Sequence, residues 1–416
     1  MATPSNEGAR EPISGLVLTA DLAALLTADF YRRYSSGQLH NRLPELQARG
    51  NSANIVAWKS GAALGNSYYL GISSVYGYNG LFGPQYSFHL RVSSDSLGGS
   101  SAKRESQARL LEGIAGEFLD AARSSPVASE ILSQRGVDLD SIAPADLFPW
   151  FDFSYGKVLR LAAGKHAASK KREGGKRQLG IGDPIVNAVA GTKRTGGVVT
   201  AFVRERGSQL DLALSAGHVV TFFGRTNFGT TIQRVGPSGA ENIGTYRAPV
   251  PFPFEAEATV GCDAATAAVD KVFSVSNRIK AGHRSLTLAR ALDMTDGELA
   301  AGTDVIIMAR NHQPVPARVH SVNAANAFVD DEDELHHYAG LIALTGRDGD
   351  SKDGVTIRPG DSGALVFREE DLEAEDKIVA GLGLVVGGNL RQSKLPLAYC
   401  IRMDAVLDQL ELEFVP

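Results

Sequence analysis

Residues 358–366 read Arg358-Pro-Gly-Asp-Ser-Gly-Ala-Leu-Val366. A serine hydroxyl is a poor nucleophile at neutral pH. It needs a base to take its proton and donors to hold the oxyanion that forms. Gly360 and Gly363 flank Asp361-Ser362, and glycine allows the tight turn that brings amide N–H groups beside a hydroxyl. The N–H groups of Gly360 and Ser362 are therefore the expected oxyanion donors. The apolar run Ala364 to Phe367 is the expected strand that anchors the turn in a core.

The base must lie elsewhere. His218 stands in Ala213-Leu-Ser-Ala-Gly-His-Val-Val220, where an apolar strand leads into a turn of small residues that presents an imidazole. The third member is an acid that fixes the imidazole tautomer. Asp263 is a single acid among small and apolar residues in Val260-Gly-Cys-Asp-Ala-Ala-Thr-Ala-Ala-Val269. Burying it is unfavourable unless it is hydrogen-bonded, so a partner is expected. Asp270 precedes Lys271 and reads as a surface charge. Asp211 lies on the strand that feeds His218. The chain order also discriminates between hydrolase architectures. An α/β-hydrolase needs a histidine after the serine and a G-x-S-x-G motif. Here residue 364 is Ala and no histidine follows Ser362. The order His, Asp, Ser fits two β-barrels, with His218 and Asp263 from the first and Ser362 from the second.

The surrounding pattern agrees. From Gly196 onward short apolar runs alternate with Gly, Pro, Asn and Asp: GVVTAFVRE, LDLALSAGHVV, AGTDVIIMA, ARVHSV, GLIALTG, SGALVF and KIVAGLGLVVGG. These are strand lengths with turn punctuation, the signature of an antiparallel barrel or sandwich. MDAVLDQLEL near the end reads as a closing amphipathic helix. Upstream, residues 19–34 and 103–123 have helical spacing, and ANIVAW, SYYLGISSVYGY and YSFHLRV read as short strands. The division expected is an α+β domain over 1–164, a basic flexible linker over 165–180 that opens with KHAASKKREGGKR, and the barrel domain over 181–416.

LSAGHVV, CDAATAAVD and PGDSGALVF together resemble the trypsin-like, chymotrypsin-fold serine peptidases. GTTIQRVG, NIGTYRAPVPF, AGTDVIIMARN and AYCIRMDAVLDQLEL are similar to the cytoplasmic members related to the plant narrow-leaf protein and its bacterial counterparts. The resemblance covers about 181–416 and leaves residues 1–164 without a parallel. It implies peptide-bond hydrolysis through an acyl-enzyme, with His218 as base, Asp263 as its orienter and Ser362 as nucleophile. It also implies that Thr356, six residues before the serine, lines the primary pocket, and that Gly383-Leu-Val-Val-Gly-Gly388 lines that pocket and pairs with substrate backbone. Val386, Gly387 and Gly388 are thus further pocket residues. An uncharged Thr356 argues against a strict Arg or Lys preference. The segment Arg310-Asn-His-Gln-Pro-Val-Pro316 departs from the family, which often carries a Thr-rich stretch there.

Composition excludes little but is consistent. The chain has 416 residues, 43% hydrophobic and 21% charged, with 45 glycines and a net charge of −5, ordinary for a globular protein with a real core. The basic stretch has no interleaved aromatics to stack on bases, so no nucleic-acid partner is expected. No run is long and apolar enough for a membrane span and no signal peptide is evident, so a cytoplasmic protein is expected, with Cys262 and Cys400 reduced. His336-His337 after the acidic run 330–334 lacks metal-ligand spacing and reads as a solvated loop. No cofactor or metal is expected; the partner is a protein or peptide substrate. Two alternatives remain open: an inactive peptidase fold used as a peptide-binding module, and a self-processing protease of a bacterial regulatory or defence operon.

Overall fold

The structure is a computed structural model that describes residues 16–35, 39, 69–79, 83–93, 101–156, 159–161, 177–190, 196–222, 226, 228–236, 239–249, 263–281, 284–293, 299, 301–329, 335–347, 357–388 and 397–416. The chain divides into two compact units, 1–155 and 156–416.

In the first unit, helix α1 (Ala20–Ser35) buries Leu22, Leu26 and Phe30, residues at a four-residue spacing that places them on one helical face. Strands β1 (Tyr69–Asn79) and β2 (Gly83–Ser93) form an antiparallel pair from Tyr69↔Ser93 to Asn79↔Gly83. Helix α2 (Ser101–Ser124) buries Leu110, Ile114 and Phe118. Helix α3 (Pro126–Ser133) starts at a proline and is capped by Ser125, whose Oγ accepts from Ala128 N–H, satisfying a donor that has no partner within the helix. Strand β3 (Phe151–Gly156) completes the sheet β1-β2-β3. The core is aromatic: Phe30 stacks on Phe118 with ring centroids 4.7 Å apart, and Phe88 meets Phe118, Trp150 and Phe151. Burial of such rings supplies most of the stabilisation available to a unit this small.

The described part of the second unit is mostly β. Strand β4 (Leu159–Leu161) comes first. The basic stretch 165–176 lies outside the described residues. Then come β5 (Gln178–Gly180), β6 (Pro184–Asn187), β7 (Gly196–Val198), β8 (Ala201–Glu205), β9 (Leu212–Ala216), the short helix α4 (Gly217–Val220), β10 (Thr231–Gly236), β11 (Gly239–Pro249) and β12 (Ala264–Val269). Next are β13 (Ser274–Ser276), β14 (Arg278–Ala281), β15 (Arg284–Ala291), β16 (Asp304–Ala309), β17 (Gln313–Val329), β18 (Leu335–Thr345), β19 (Leu365–Arg368), β20 (Ile378–Gly388) and β21 (Leu397–Arg402). Helix α5 (Met403–Gln409) and β22 (Leu412–Phe414) end the chain.

One curled sheet runs β22-β8-β9-β12-β11-β10-β6-β7. A second set closes on itself: β20 pairs β19, β19 pairs β16, β16 pairs β17, β17 pairs β18, β18 pairs β21, and β21 returns to β20. A closed barrel beside a half-barrel, all antiparallel around the ring, is the chymotrypsin-like two-barrel architecture. Strands β9 and β12 are nearly continuous small and apolar runs, buried almost throughout.

Two local expectations are corrected. The closing helix stops at Gln409, and Leu412 sits instead in β22, paired with Glu205 of β8. Glu411 has φ 53°, a left-handed position that no helix continues through. His336 and His337 lie in strand β18, opposite Phe328 and Ala327, and not in a loop: β17 extends to Val329 and offers a ladder that an isolated reading of the charge run misses. Among the described residues no helix is long and apolar enough to cross a membrane.

Candidate active site

β9 delivers His218. Its last residue, Ala216, pairs with Ala264 at the start of β12, so the residues just beyond each strand end, His218 and Asp263, are neighbours. Gly217 N–H donates to Asp263 O at 2.9 Å, and His218 N–H donates to Asp263 Oδ1 at 2.7 Å. Asp263 Oδ2 lies 2.6 Å from His218 Nδ1. An ionised carboxylate only accepts, so Nδ1 carries the proton and Nε2 is left with a lone pair. Nε2 is 2.8 Å from Ser362 Oγ. All three side chains are fully buried, where an unpaired charge would be far more costly than in water.

Gly217 is required at its position. A Cβ there would fall 2.8 Å from Asp263 Oδ1. Helix α4 behind it is held by Asn187, whose Nδ2 donates to Val220 O at 2.6 Å.

Ser362 sits on a turn fixed from both barrels. Its carbonyl accepts from Val198 N–H at 2.8 Å; Gly363 N–H donates to Val385 O at 2.7 Å; Thr200 Oγ1 donates to Gly363 O at 2.6 Å. Gly360 and Gly363 have φ 99° and 86°, which L side chains rarely adopt. Among the described residues neither Gly360 N–H nor Ser362 N–H donates a hydrogen bond. Asp361 points away from the triad of side chains. Its Oδ2 accepts from Arg358 N–H at 2.7 Å and its Oδ1 from Arg310 N–H at 3.2 Å. Burial pushes its carboxyl above the ordinary range, and those amides with the nearby guanidinium groups pull it partly back. A cavity of about 320 Å³ opens beside it, lined by Arg310, Asn311, Gln313, Pro314 and Arg358 among others.

The structure thus brings together His218, Asp263 and Ser362, with Gly360 on the same turn. Of the pocket residues, Val386 is buried with its carbonyl 3.4 Å from Ser362 Oγ. Gly387 and Gly388 pair with Tyr399 and Ala398 on one edge and with Leu161 and Arg160 on the other. Thr356 and Cys262 lie outside the described residues. The rival acids have other places: Asp211 pairs with Arg204 at 2.8 Å and Asp270 is exposed. Cys400 is a free thiol in β21, and burial raises its pKa far above the ordinary range, which keeps it inert.

Sequence reasoning missed the supports Gly197, Thr200, Ser215 and Arg310. A Cβ on Gly197 would fall 2.5 Å from Ser362 O. Ser215 Oγ donates to Val198 O at 2.7 Å. The signal available was a pair of hydroxyls inside otherwise apolar stretches of sequence, where a buried O–H demands a partner.

Comparison with known proteins returns no matching family model and no match among curated proteins. Among solved structures, the chain is similar to Thermobifida fusca Protease A at 15% identity and TM-score 0.38, over 57% of this chain and 98% of that one. It is similar to the Cellulomonas bogoriensis chymotrypsin at 14% identity and TM-score 0.38, over 57% and 98%. With the Nocardiopsis protease NAPase it shares 14% identity at TM-score 0.39, over 57% and 100%. The two-barrel assignment stands on the strand pairing described above.

Proposed function

We propose that the second unit is a serine endopeptidase acting on protein or peptide substrates through an acyl-enzyme. The observation that carries this reading is the continuous buried contact from Asp263 through His218 to Ser362, 2.6 Å at Nδ1 and 2.8 Å at Nε2. A structural role alone gives no reason to bury a serine hydroxyl against an imidazole lone pair fixed by a carboxylate.

In the first step Ser362 Oγ adds to the scissile carbonyl carbon while its proton passes to His218 Nε2. Asp263 stabilises the imidazolium that forms and keeps the ring oriented. The new oxyanion is held by the N–H groups of Gly360 and Ser362, each donor of this kind contributing about 10²–10³ in rate. The imidazolium then protonates the leaving amine. A water, deprotonated by the same nitrogen, hydrolyses the acyl-enzyme and restores the serine. Every proton is carried by His218, and no step requires a cofactor.

A fluorophosphonate probe tests this reading. It is expected to add covalently to Ser362 in the full chain and to leave Ser362→Ala unmodified. A folded full chain that never takes up the probe at Ser362 overturns it.

A further inference from the structure

Strand β19 has a neighbour on each side where it leaves the turn that bears Ser362. Leu365 pairs with Leu384 of β20 on one side and with Met308 of β16 on the other, both antiparallel. Followed back from Leu365 to Ser362, the chain therefore meets the residues that come next along each neighbour. On the β20 flank the Val386 carbonyl is 3.4 Å from Ser362 Oγ. On the β16 flank Arg310 N–H donates to Asp361 Oδ1 at 3.2 Å. The cavity of about 320 Å³ opens on this second flank, lined by Asp361 and Arg358 from the turn and by residues as far as Pro316 in β17. It is separate from the β20 side, where Val386, Gly387 and Gly388 lie.

The lining of this cavity suits a single negative charge. Among the described residues its charged groups are Arg310, Arg358 and Asp361, two cations and one acid. Asp361 is already met by the backbone N–H groups of Arg358 and Arg310. Burial also holds its carboxyl above the ordinary range, so it does not offset both guanidinium groups. At least one positive charge is left over. A guanidinium fork matches a carboxylate, which accepts two parallel N–H bonds, and Asn311 and Gln313 add neutral amides to the wall. A dianion would exceed the charge balance and repel Asp361. Arg358 is exposed, so a ligand reaches it without opening the core. The backbone at the cavity is also held in an uncommon form: Asn311 and His312 both have φ 60°. Asn311 N–H donates to Gly182 O at 3.1 Å, and His312 Nδ1 lies 2.6 Å from Ile181 O. Successive left-handed residues other than glycine persist only where the surroundings enforce them, and such residues cluster at ligand sites.

We infer that this cavity binds the carboxylate of an aspartate or glutamate side chain of the substrate, held between Arg358 and Arg310. The inference rests on the peptidase reading above and narrows the substrate class to peptides with an acid near the bond that is cleaved. The cavity wall includes Asp361, the residue next to the nucleophile. An extended peptide advances about 3.3 Å per residue, so an acid two or three positions from the attacked carbonyl stands about 7–10 Å from it along the chain. The carboxylate takes no part in the bond changes at Ser362. It is held alike before and during the attack, so its contribution falls on KM and leaves kcat little changed.

Cleavage of a mixed peptide library by the full chain, read by mass spectrometry, tests this, with fluorophosphonate labelling of Ser362 in parallel. Asp and Glu are expected to be enriched at one fixed position relative to the cleaved bond. Two peptides that differ only by Glu or Gln at that position are then compared. The wild type is expected to favour the Glu peptide about tenfold in kcat/KM, through KM. Arg358→Glu is expected to reverse the preference, and Arg358→Lys to keep part of it. The ratio of the two peptides is read, so general damage to the enzyme, which slows both, does not imitate the effect. Should Arg358→Glu cleave neither peptide, Arg358→Gln reads the same ratio, expected near one. Chains that label at Ser362 yet show no acidic enrichment overturn the inference and leave the peptidase reading standing. So does a Glu preference that survives in Arg358→Glu or Arg358→Gln. Propionate is the free-carboxylate arm: it is expected to compete with the Glu peptide and to leave the Gln peptide alone. If propionate changes hydrolysis of the Gln peptide, and does so only while Arg358 is present, the cavity serves a free carboxylate and the substrate assignment is overturned. A wild type that never labels takes the peptidase reading down and the inference with it.

Discussion

Each unit buries a carboxylate that a purely apolar core would not tolerate, and the two solve the problem differently. In the first unit Glu117 is 2% exposed and lies 2.8 Å from the Arg33 guanidinium, which also bonds Glu117 O and Asp29. In the second unit Asp263 is fully buried and is met by a backbone N–H and an imidazole. The guanidinium is a permanent cation that cannot give up its proton, so the Glu117 pair is closed. The imidazole has a second nitrogen aimed at a hydroxyl, so the Asp263 pair is open to proton transfer. The difference separates a closed buried ion pair from one whose geometry leaves a path for a proton: what counts is whether the partner can change its protonation state.

The sharpest break of this comparison is Asp263→Asn. The amide cannot hold Nδ1–H as a carboxylate does, and it favours the wrong tautomer. Peptidase kcat is expected to fall about 10⁴-fold, with the fold retained by circular dichroism. A loss of only a few-fold would place Asp263 with Glu117, as a structural acid. Next is Gly363→Ala, which tests the turn and not the charge. Its φ of 86° is already strained for an L residue, and the new Cβ is driven onto Val198 O and Ser215 Oγ. Urea denaturation is expected to show destabilisation of about 4 kcal/mol, with labelling of Ser362 lost. A variant that labels at the wild-type rate would mean the turn is far more yielding than its contacts imply. Arg33→Met is the counterpart in the first unit. It leaves Glu117 buried without its cation, expected to cost about 3 kcal/mol in the unfolding of that unit. Ser362 labelling is expected to be unchanged; a drop in labelling would show that the two units are not energetically independent.

The three residues that meet in space, His218, Asp263 and Ser362, were legible in the sequence because their constraints are local. Gly360-Asp361-Ser362-Gly363 and Ala216-Gly217-His218 each announce a tight turn beside an apolar strand, and the chain order of His, acid and Ser excludes one architecture outright. What was illegible depends on pairing between distant segments. Nothing in Leu-Arg-Leu at 159–161 says that it joins β20. Leu412 continued the helical spacing of MDAVLDQLEL, but a ladder with β8 outweighed that spacing. His336-His337 came after a run of acids and read as solvated, whereas the long β17 offers them a strand partner. Thr200 and Ser215 gave no local sign of their role, since their acceptors, Gly363 O and Val198 O, are supplied by other segments. In the first unit the helices showed in their spacing, but the Arg33–Glu117 pair spans 84 residues and no local rule joins them.

A third buried acid extends the comparison. Asp361 is 3% exposed and is met chiefly by two backbone N–H groups, those of Arg358 and Arg310. Amides are weaker compensation than a guanidinium or an imidazole, and burial wins: the carboxyl is held above its ordinary range. The native state therefore keeps this proton to higher pH than the unfolded chain does. Between the ordinary aspartate range and the raised native value, the native state binds more protons than the unfolded one, so this group makes stability fall as pH rises. The contribution is fully present below the ordinary aspartate range and is gone above the native value. Asp361→Asn removes the titration while keeping the shape and one acceptor. Plotted against pH over that window, the wild-type minus variant difference in urea midpoint is expected to decline as pH rises and then level off. This is the smallest of the four effects, a change of slope and not a loss of fold. A difference that grows with pH would reverse the sign and mean that the two amides overcompensate burial.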